Sequence, residues 1–192
     1  MQQRLGLFGG AFNPVHLGHL LVAQAALEEL DLDKLFFIPA WQSPFKQEIP
    51  AAPAETRLQW LRLALAGQTH YVVDDQEIRR AGVSYTIETV RDYIKKFPHA
   101  TLFWLIGADN VPTLNKWANA DELAKLVEFA AIPRLGKTSV DFPGPFRGRM
   151  LKGFPLEISS SEIRARVKAG LPIEALVPPF VAQAIQSSGT YL

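Results

Sequence analysis

Leu5-Gly6-Leu7-Phe8-Gly9-Gly10-Ala11-Phe12-Asn13-Pro14-Val15-His16-Leu17-Gly18-His19 joins a short apolar run to the start of a helical pattern through paired glycines and a proline. Glycine reaches backbone conformations closed to other residues and leaves no side chain between main-chain N–H groups and an incoming phosphate. A helix N-terminus adds unpaired N–H donors and the positive end of its dipole. The segment therefore reads as strand, phosphate-binding loop and helix in succession. His16 and His19 stand three residues apart, so on a first helical turn they share a face toward that anion site, and Gly18 keeps the approach open.

The pattern repeats outward from this unit. A helix is predicted from about Leu17 to Leu30, then the β-rich run Leu35 to Ile38, a helix over Glu55 to Leu65 and the strand Tyr71 to Val73. A helix over Thr86 to Phe97 precedes the strand Leu102 to Ile106, whose unbroken hydrophobicity implies burial on both faces. A helix around Asp121 to Leu126, the apolar run Phe129 to Ile132, a strand near Leu156 to Ile158 and a helix from about Ser161 complete the series. Alternation of this kind specifies an α/β fold, a Rossmann-like, doubly wound and mostly parallel sheet with helices on both faces. Ligands of such sheets sit beyond the carboxyl ends of the strands, so chemistry is expected in the loops after Phe8, Ile38, Ile106, Ile132 and Ile158. Lys137 to Gly153, rich in Gly, Pro and basic residues without a clean period, reads as a long loop.

Length and composition fit one globular domain over residues 1–192, with 48% apolar residues, enough for a sizeable core. Lys plus Arg number 20 against 19 Asp plus Glu, so no global field argues for a nucleic-acid or membrane partner, and small anionic substrates fit the balance. The chain has no cysteine, which excludes disulfides, thiolate metal sites and a cysteine nucleophile and agrees with a reducing compartment. The run Leu5 to Phe8 is too short for a signal or membrane segment, and a soluble, cytoplasmic protein is expected.

Ile158-Ser159-Ser160-Ser161-Glu162-Ile163-Arg164 forms a second strand-to-helix junction. Its hydroxyls and N–H groups can bind phosphate oxygens, and Arg164 on the first turn supplies a delocalised charge suited to two of them. Read alone, the segment is an ordinary capping box of Ser159 and Glu162, as His-x-x-His alone is a pair of capping or core histidines. Two imidazoles on one helical face can also chelate zinc, but no third ligand lies near in sequence and no Glu stands as in His-Glu-x-x-His, so no resident metal is expected. Leu135-Gly136-Lys137-Thr138 ends like a Walker A loop. The first glycine of that pattern is replaced by Ala131, and Pro133 stiffens the interior, so Lys137 reads as a solvated or accessory cation.

Gly-Gly-x-Phe-Asn-Pro-x-His-x-Gly-His resembles the signature of the nucleotidyltransferase superfamily with an H-x-G-H motif, related to class I aminoacyl-tRNA synthetases. Residues 158–164 resemble that superfamily's Ile-Ser-Ser-Thr-x-Ile-Arg motif, with Ser161 keeping the hydroxyl of the usual Thr. Across nearly the whole chain, the intervening loops resemble bacterial nicotinate-nucleotide adenylyltransferases. Ile38-Pro39-Ala40-Trp41-Gln42-Ser43-Pro44-Phe45-Lys46 is similar to a Pro-rich loop ending Pro-His-Lys, with Phe45 in place of His. Ile106-Gly107-Ala108-Asp109, with Leu114 and Trp117 downstream, resembles Ile-Gly-x-Asp followed by Leu-x-x-Trp. Arg134 corresponds to the Arg of an Arg-Pro-Gly in which Leu135 replaces the Pro, and Val177 through Tyr191 resembles a C-terminal helix with a Leu-Tyr ending.

The resemblance implies adenylyl transfer from ATP to nicotinate mononucleotide, giving nicotinate adenine dinucleotide and pyrophosphate in NAD biosynthesis, with Mg²⁺ accompanying ATP. It implies His16, His19 and Arg164 as catalytic residues and Gly9, Gly10, Phe12, Ser159, Ser160 and Ser161 around ATP. Lys46, Ser84, Tyr85, Thr86, Asp109, Trp117 and Arg134 fall to the mononucleotide. Helix-cap and N–H donors at Ser84 to Thr86 can receive a carboxylate, Asp109 can accept from ribose or amide, and the Trp117 indole offers a stacking face. A helix cap at 84–86 and a core Trp at 117 are the plainer readings of the same residues. Nicotinamide mononucleotide or phosphopantetheine as acceptor, and a nucleotide-binding regulatory module without activity, stay open. A tRNA-linked ligase is disfavoured by a length read as too short for an anticodon domain and by the charge balance.

Overall fold

The computed structural model describes residues 2–44, 52–133, 139–154 and 156–192. Six strands form one parallel sheet: β1 (Arg4–Gly10), β2 (Lys34–Pro39), β3 (Tyr71–Val73), β4 (Thr101–Gly107), β5 (Glu128–Ile132) and β6 (Gly148–Met150). Their spatial order is β3-β2-β1-β4-β5-β6. The chain winds outward from β1 in one direction and returns to β4 in the other, which puts the topological switch point between β1 and β4.

Side-chain alternation builds the two layers predicted for a sheet covered on both faces. Phe8 of β1, Leu35 and Phe37 of β2, Phe103 and Leu105 of β4 and Ala130 of β5 point to one face. There they meet helices α1 (Leu17–Glu29), α2 (Ala54–Ala64), α6 (Ser160–Lys168) and α7 (Pro179–Ser188). Leu5, Leu7, Phe36, Ile38, Leu102, Trp104 and Ile106 point to the other, against α4 (Thr86–Lys96) and α5 (Ala120–Leu126). The short helix α3 (Gln76–Arg80) and a 3₁₀ turn over Val111–Lys116 carry no sequence period long enough to announce them.

Two expectations are corrected. The predicted strand at Leu156 to Ile158 is irregular, and the sixth strand lies earlier, within the stretch read as a loop. β6 occupies the free edge of β5 through Phe129↔Gly148 to Ala131↔Met150. That edge of β5 is therefore taken by β6 and not by 156–158, and Leu156 stays exposed. Three residues of mixed character at a sheet edge, with Arg149 bonded to Glu128 across the pair, show no alternation in sequence. The second correction concerns Gly9 and Gly10. Both belong to β1, paired with Ile38 and Pro39, and neither has a positive φ. Small size, rather than backbone freedom, is what their positions require: a β-carbon would lie 2.6 Å from the Trp104 ring at Gly9 and 3.2 Å from the Phe12 ring at Gly10.

Candidate active site

The carboxyl ends of β1 and β4 open onto a crevice of about 770 Å³, lined among others by Gly9, Gly10, Gly107 and Asn110. This is the switch point of the sheet, where open α/β proteins bind their ligands, and its volume falls within the roughly 300–1,000 Å³ typical of small-molecule sites.

His16 and His19 sit on its floor. His16 is the N-cap of α1, extended in backbone and buried, and its backbone N–H donates to His19 Nδ1 at 3.2 Å. The two rings lie 3.7 Å apart between centroids, with a tilt of 32°. The helix start and the shared face are thus one geometry: the bond from the His16 N–H to His19 and the contact between the two rings hold both imidazoles at the crevice wall. Gly18 makes room for them, since a β-carbon there would lie 3.0 Å from His16 Nδ1. Phe12, at φ 45°, is buried at 2% exposure with its ring against His19, Phe8 and Phe37. Its side chain is a wedge beneath His19, which leaves its backbone as the part suited to a ligand.

The second junction folds onto the first. Ser159 caps α6 by accepting from the Glu162 N–H at 3.1 Å. Ser160 Oγ donates to the Pro14 carbonyl at 2.9 Å, Arg164 Nη1 donates to the Asn13 carbonyl at 2.8 Å, and Arg164 Nη2 donates to Ser161 Oγ at 3.1 Å. Ser159, Ser160, Ser161 and Arg164 all line the crevice. Residues nearly 150 positions apart in sequence thereby form one wall, with two imidazoles, a guanidinium, hydroxyls and the N-terminus of α6 facing one volume.

A smaller cavity of about 220 Å³ lies between Pro44, Tyr85, Thr86, Lys116, Trp117 and Ala118. It adjoins the loop whose Trp41, Gln42 and Ser43 line the large crevice. Trp117 donates its indole N–H to Thr113 Oγ1 at 3.4 Å and meets Phe129 edge-on. Ser84, in contrast, is turned inward: its Oγ accepts from the Trp41 N–H at 3.1 Å, and it hydrogen-bonds the buried Glu77 carboxyl. Asp109 stands exposed just after β4, and a β-carbon at Gly107 would lie 2.5 Å from its Oδ1, so Gly107 provides the space for that carboxylate. Lys46, Arg134, Phe45, Leu135 and the Walker-like Lys137 lie outside the described residues.

Several residues that build this site were not singled out from sequence. Asn13 Oδ1 accepts from the Ala52 N–H at 3.1 Å and from the Tyr191 hydroxyl at 2.5 Å, tying the last turn of the chain to the first loop. Burial raises the Tyr191 hydroxyl above its ordinary range. Glu77 is also raised, chiefly by burial, against hydrogen bonds from Thr89 and Ser84 that favour its ionised form. Tyr93, which donates to Asp74 at 2.6 Å, is raised by burial and by that bond. Arg57 is 2% exposed in the wall of the large crevice, and desolvation lowers it from its ordinary value. Its signal in sequence is an arginine on the apolar stripe Ala54, Leu58 and Leu61 of α2. Among the described residues no three His, Asp or Glu side chains gather as a metal site.

Sheet order, the switch-point crevice and the bonding of the start of α6 onto the loop between β1 and α1 define an α/β protein of the Rossmann-like class. The chain belongs to the cytidylyltransferase-like family, whose model matches residues 7–166. Its relatives are more specific. A sequence of Methylacidiphilum infernorum named probable nicotinate-nucleotide adenylyltransferase is 40% identical over 98% of this chain and 92% of its own length. One of the same name from Opitutus terrae is 42% identical, covering 91% of each chain. The solved nicotinic acid mononucleotide adenylyltransferase of Plasmodium falciparum shares the fold, in complexes with NaAD (TM-score 0.78, 17% identity) and with APC (TM-score 0.79, 16% identity), each covering 98% of this chain and 97% of that one.

Proposed function

We propose that the crevice joins nicotinate mononucleotide to the AMP half of ATP, releasing pyrophosphate and forming nicotinate adenine dinucleotide, a step of NAD biosynthesis. The observation that carries this reading is the pair of imidazoles 3.7 Å apart on a loop to which the N-terminus of α6 is bonded through Ser160 and Arg164. The names of the relatives over nearly the full chain support the choice of acceptor.

A phosphate oxygen of the mononucleotide attacks the α-phosphorus of ATP in line. The new P–O bond forms as the bond to the oxygen bridging to the β-phosphate breaks, and the electron pair leaves with pyrophosphate. The nucleophile is already anionic near neutral pH, so no general base is needed. Catalysis consists of bringing two polyanions together and stabilising charge that grows on the α-phosphate and the leaving group. His19 positions ATP, and His16 donates to the α-phosphate in the transition state. Arg164, Ser159, Ser160 and Ser161 take the triphosphate, together with backbone groups at Gly9, Gly10 and Phe12. ATP enters as its Mg²⁺ complex, the ion held mainly by phosphate oxygens.

The pyridine ring belongs in the smaller cavity against Trp117, with Tyr85 and Thr86 at the start of α4 offering N–H and hydroxyl donors to its carboxylate. Asp109 accepts from the ribose or from an amide. Ser84 serves the same loop through its bond to Trp41 rather than by facing the ring. Lys46 and Arg134 enter this proposal on resemblance alone, as further phosphate partners. A carboxylate rewards donors, whereas an amide also needs an acceptor, which favours nicotinate over nicotinamide. A cytoplasmic setting belongs to the same proposal; among the described residues no helix is long and apolar enough to cross a membrane.

Pyrophosphate release from Mg–ATP tests the reading. Release is expected with nicotinate mononucleotide, weakly with nicotinamide mononucleotide and not with ATP alone. Equal rates with and without either acceptor would contradict it.

A further inference from the structure

Among the described residues, Arg57 is the one buried guanidinium in the crevice wall, at 2% exposure. Three of its N–H groups are committed, each to a backbone carbonyl and none to a carboxylate. Nη1 donates to Ala11 at 2.6 Å, Nη2 to Trp41 at 3.0 Å and Nε to Ala52 at 3.0 Å. Ala11 belongs to the loop between β1 and α1. Trp41 and Ala52 belong to the connection between β2 and α2. All three line the crevice.

The connections continue from there. Ala52 donates through its N–H to Asn13 Oδ1, and the Asn13 carbonyl accepts from Arg164. One buried cation thus sets the spacing between the loop that carries both histidines, the loop that leads to the smaller cavity and, through Asn13, the N-terminus of α6. An apolar residue would satisfy this stripe of α2 as packing. A lysine carries its three donors on one nitrogen, whereas these carbonyls are met from three different nitrogens, so it cannot reproduce the set. With its hydrogen bonds among the described residues going to carbonyls, the guanidinium also places a positive charge beneath a site built for polyanions.

We propose that Arg57 is the positioning residue that fixes the ATP-side loop against the acceptor-side loop, and so sets the in-line approach of the two phosphates. The inference rests on the adenylyl-transfer reading given above. Misplacement of reacting groups by about 1 Å can cost on the order of 100-fold in rate, so the effect belongs in turnover as well as in binding.

The test is steady-state kinetics with both substrates varied for wild type, Arg57→Lys, Arg57→Met and Arg57→Ala, alongside melting temperatures. Arg57→Lys and Arg57→Met are expected to lose roughly 10- to 100-fold in kcat/KM for both substrates, with part of the loss in kcat. Methylguanidinium is expected to restore part of the turnover of Arg57→Ala and none of that of His16→Ala. Should Arg57→Ala fail to fold, the lysine variant decides. An Arg57→Lys enzyme with a lowered melting temperature but wild-type kcat and both KM values would overturn the inference. Failure of the activity reading shows differently, as absent turnover in the wild type.

Discussion

The two ends of the crevice are built in opposite ways. At the phosphate end, side chains that face the ligand volume are also bonded to backbone: Ser160 to Pro14 and Arg164 to Asn13 across the chain, and His19 locally to the N–H of a buried His16. At the ring end, Tyr85 is 40% exposed, Trp117 directly follows a 3₁₀ turn, and the cavity walls come from three separate short segments. Charge stabilisation needs donors fixed before the charge develops, because reorganising them during the reaction costs what they would return. Stacking on a flat ring tolerates small displacement. The first end is therefore framed by hydrogen bonds across the chain, and the second by aromatic surface.

That contrast predicts where substitutions register. After the loss of a histidine, the largest effect is expected from Arg164→Met, which removes a guanidinium from the ligand wall and leaves the Asn13 carbonyl without that donor. A fall of about 100-fold in kcat/KM for ATP is expected, read from initial rates at saturating acceptor. A loss confined to the acceptor KM would invert the assignment of the two ends. Trp117→Ala should raise the KM for nicotinate mononucleotide by roughly tenfold, in keeping with the modest energy of a ring contact, and leave kcat near wild type. A tenfold loss of kcat at saturation would place Trp117 with the phosphates instead.

The smallest effect concerns the support beneath the ring end. Burial raises the Glu77 carboxyl above its ordinary value of 4.5. An acid raised in the folded state contributes stability that is full below its unfolded value and is lost as pH climbs through the folded one. Glu77→Gln should flatten that part of the stability profile, so that the melting temperature of the wild type falls relative to the variant as pH rises above 4.5. A difference independent of pH would show that Glu77 acts through shape alone.

What was legible in sequence follows the same division. The phosphate end comes from two contiguous segments, each the lead-in to a helix with its chemistry in consecutive residues, and the structure brings them together. The strand series was readable for the reason that makes it a doubly covered sheet: buried runs such as Leu102 to Ile106 carry no polar interruption. β6 was not, because three residues at an edge need no apolar period. The contacts of Arg57, Glu77 and Asn13, the last a member of the first motif, were not legible either, because their partners are backbone groups or hydroxyls elsewhere in the chain, and no spacing encodes a contact of that kind. Ser84 was visible as a polar residue at a helix start, but its inward turn depends on Trp41, which lies 43 positions away.

The most direct measurement follows the label from ATP bearing a radioactive α-phosphate into dinucleotide product, with nicotinate or nicotinamide mononucleotide as acceptor, for wild type and His16→Ala. The account predicts one label transferred per pyrophosphate released and a clear preference for nicotinate. It also predicts a loss of about 100- to 1,000-fold in the variant, the scale of a missing transition-state donor. Label that reaches neither acceptor, or that reaches nicotinate mononucleotide as fast in His16→Ala as in wild type, would contradict it.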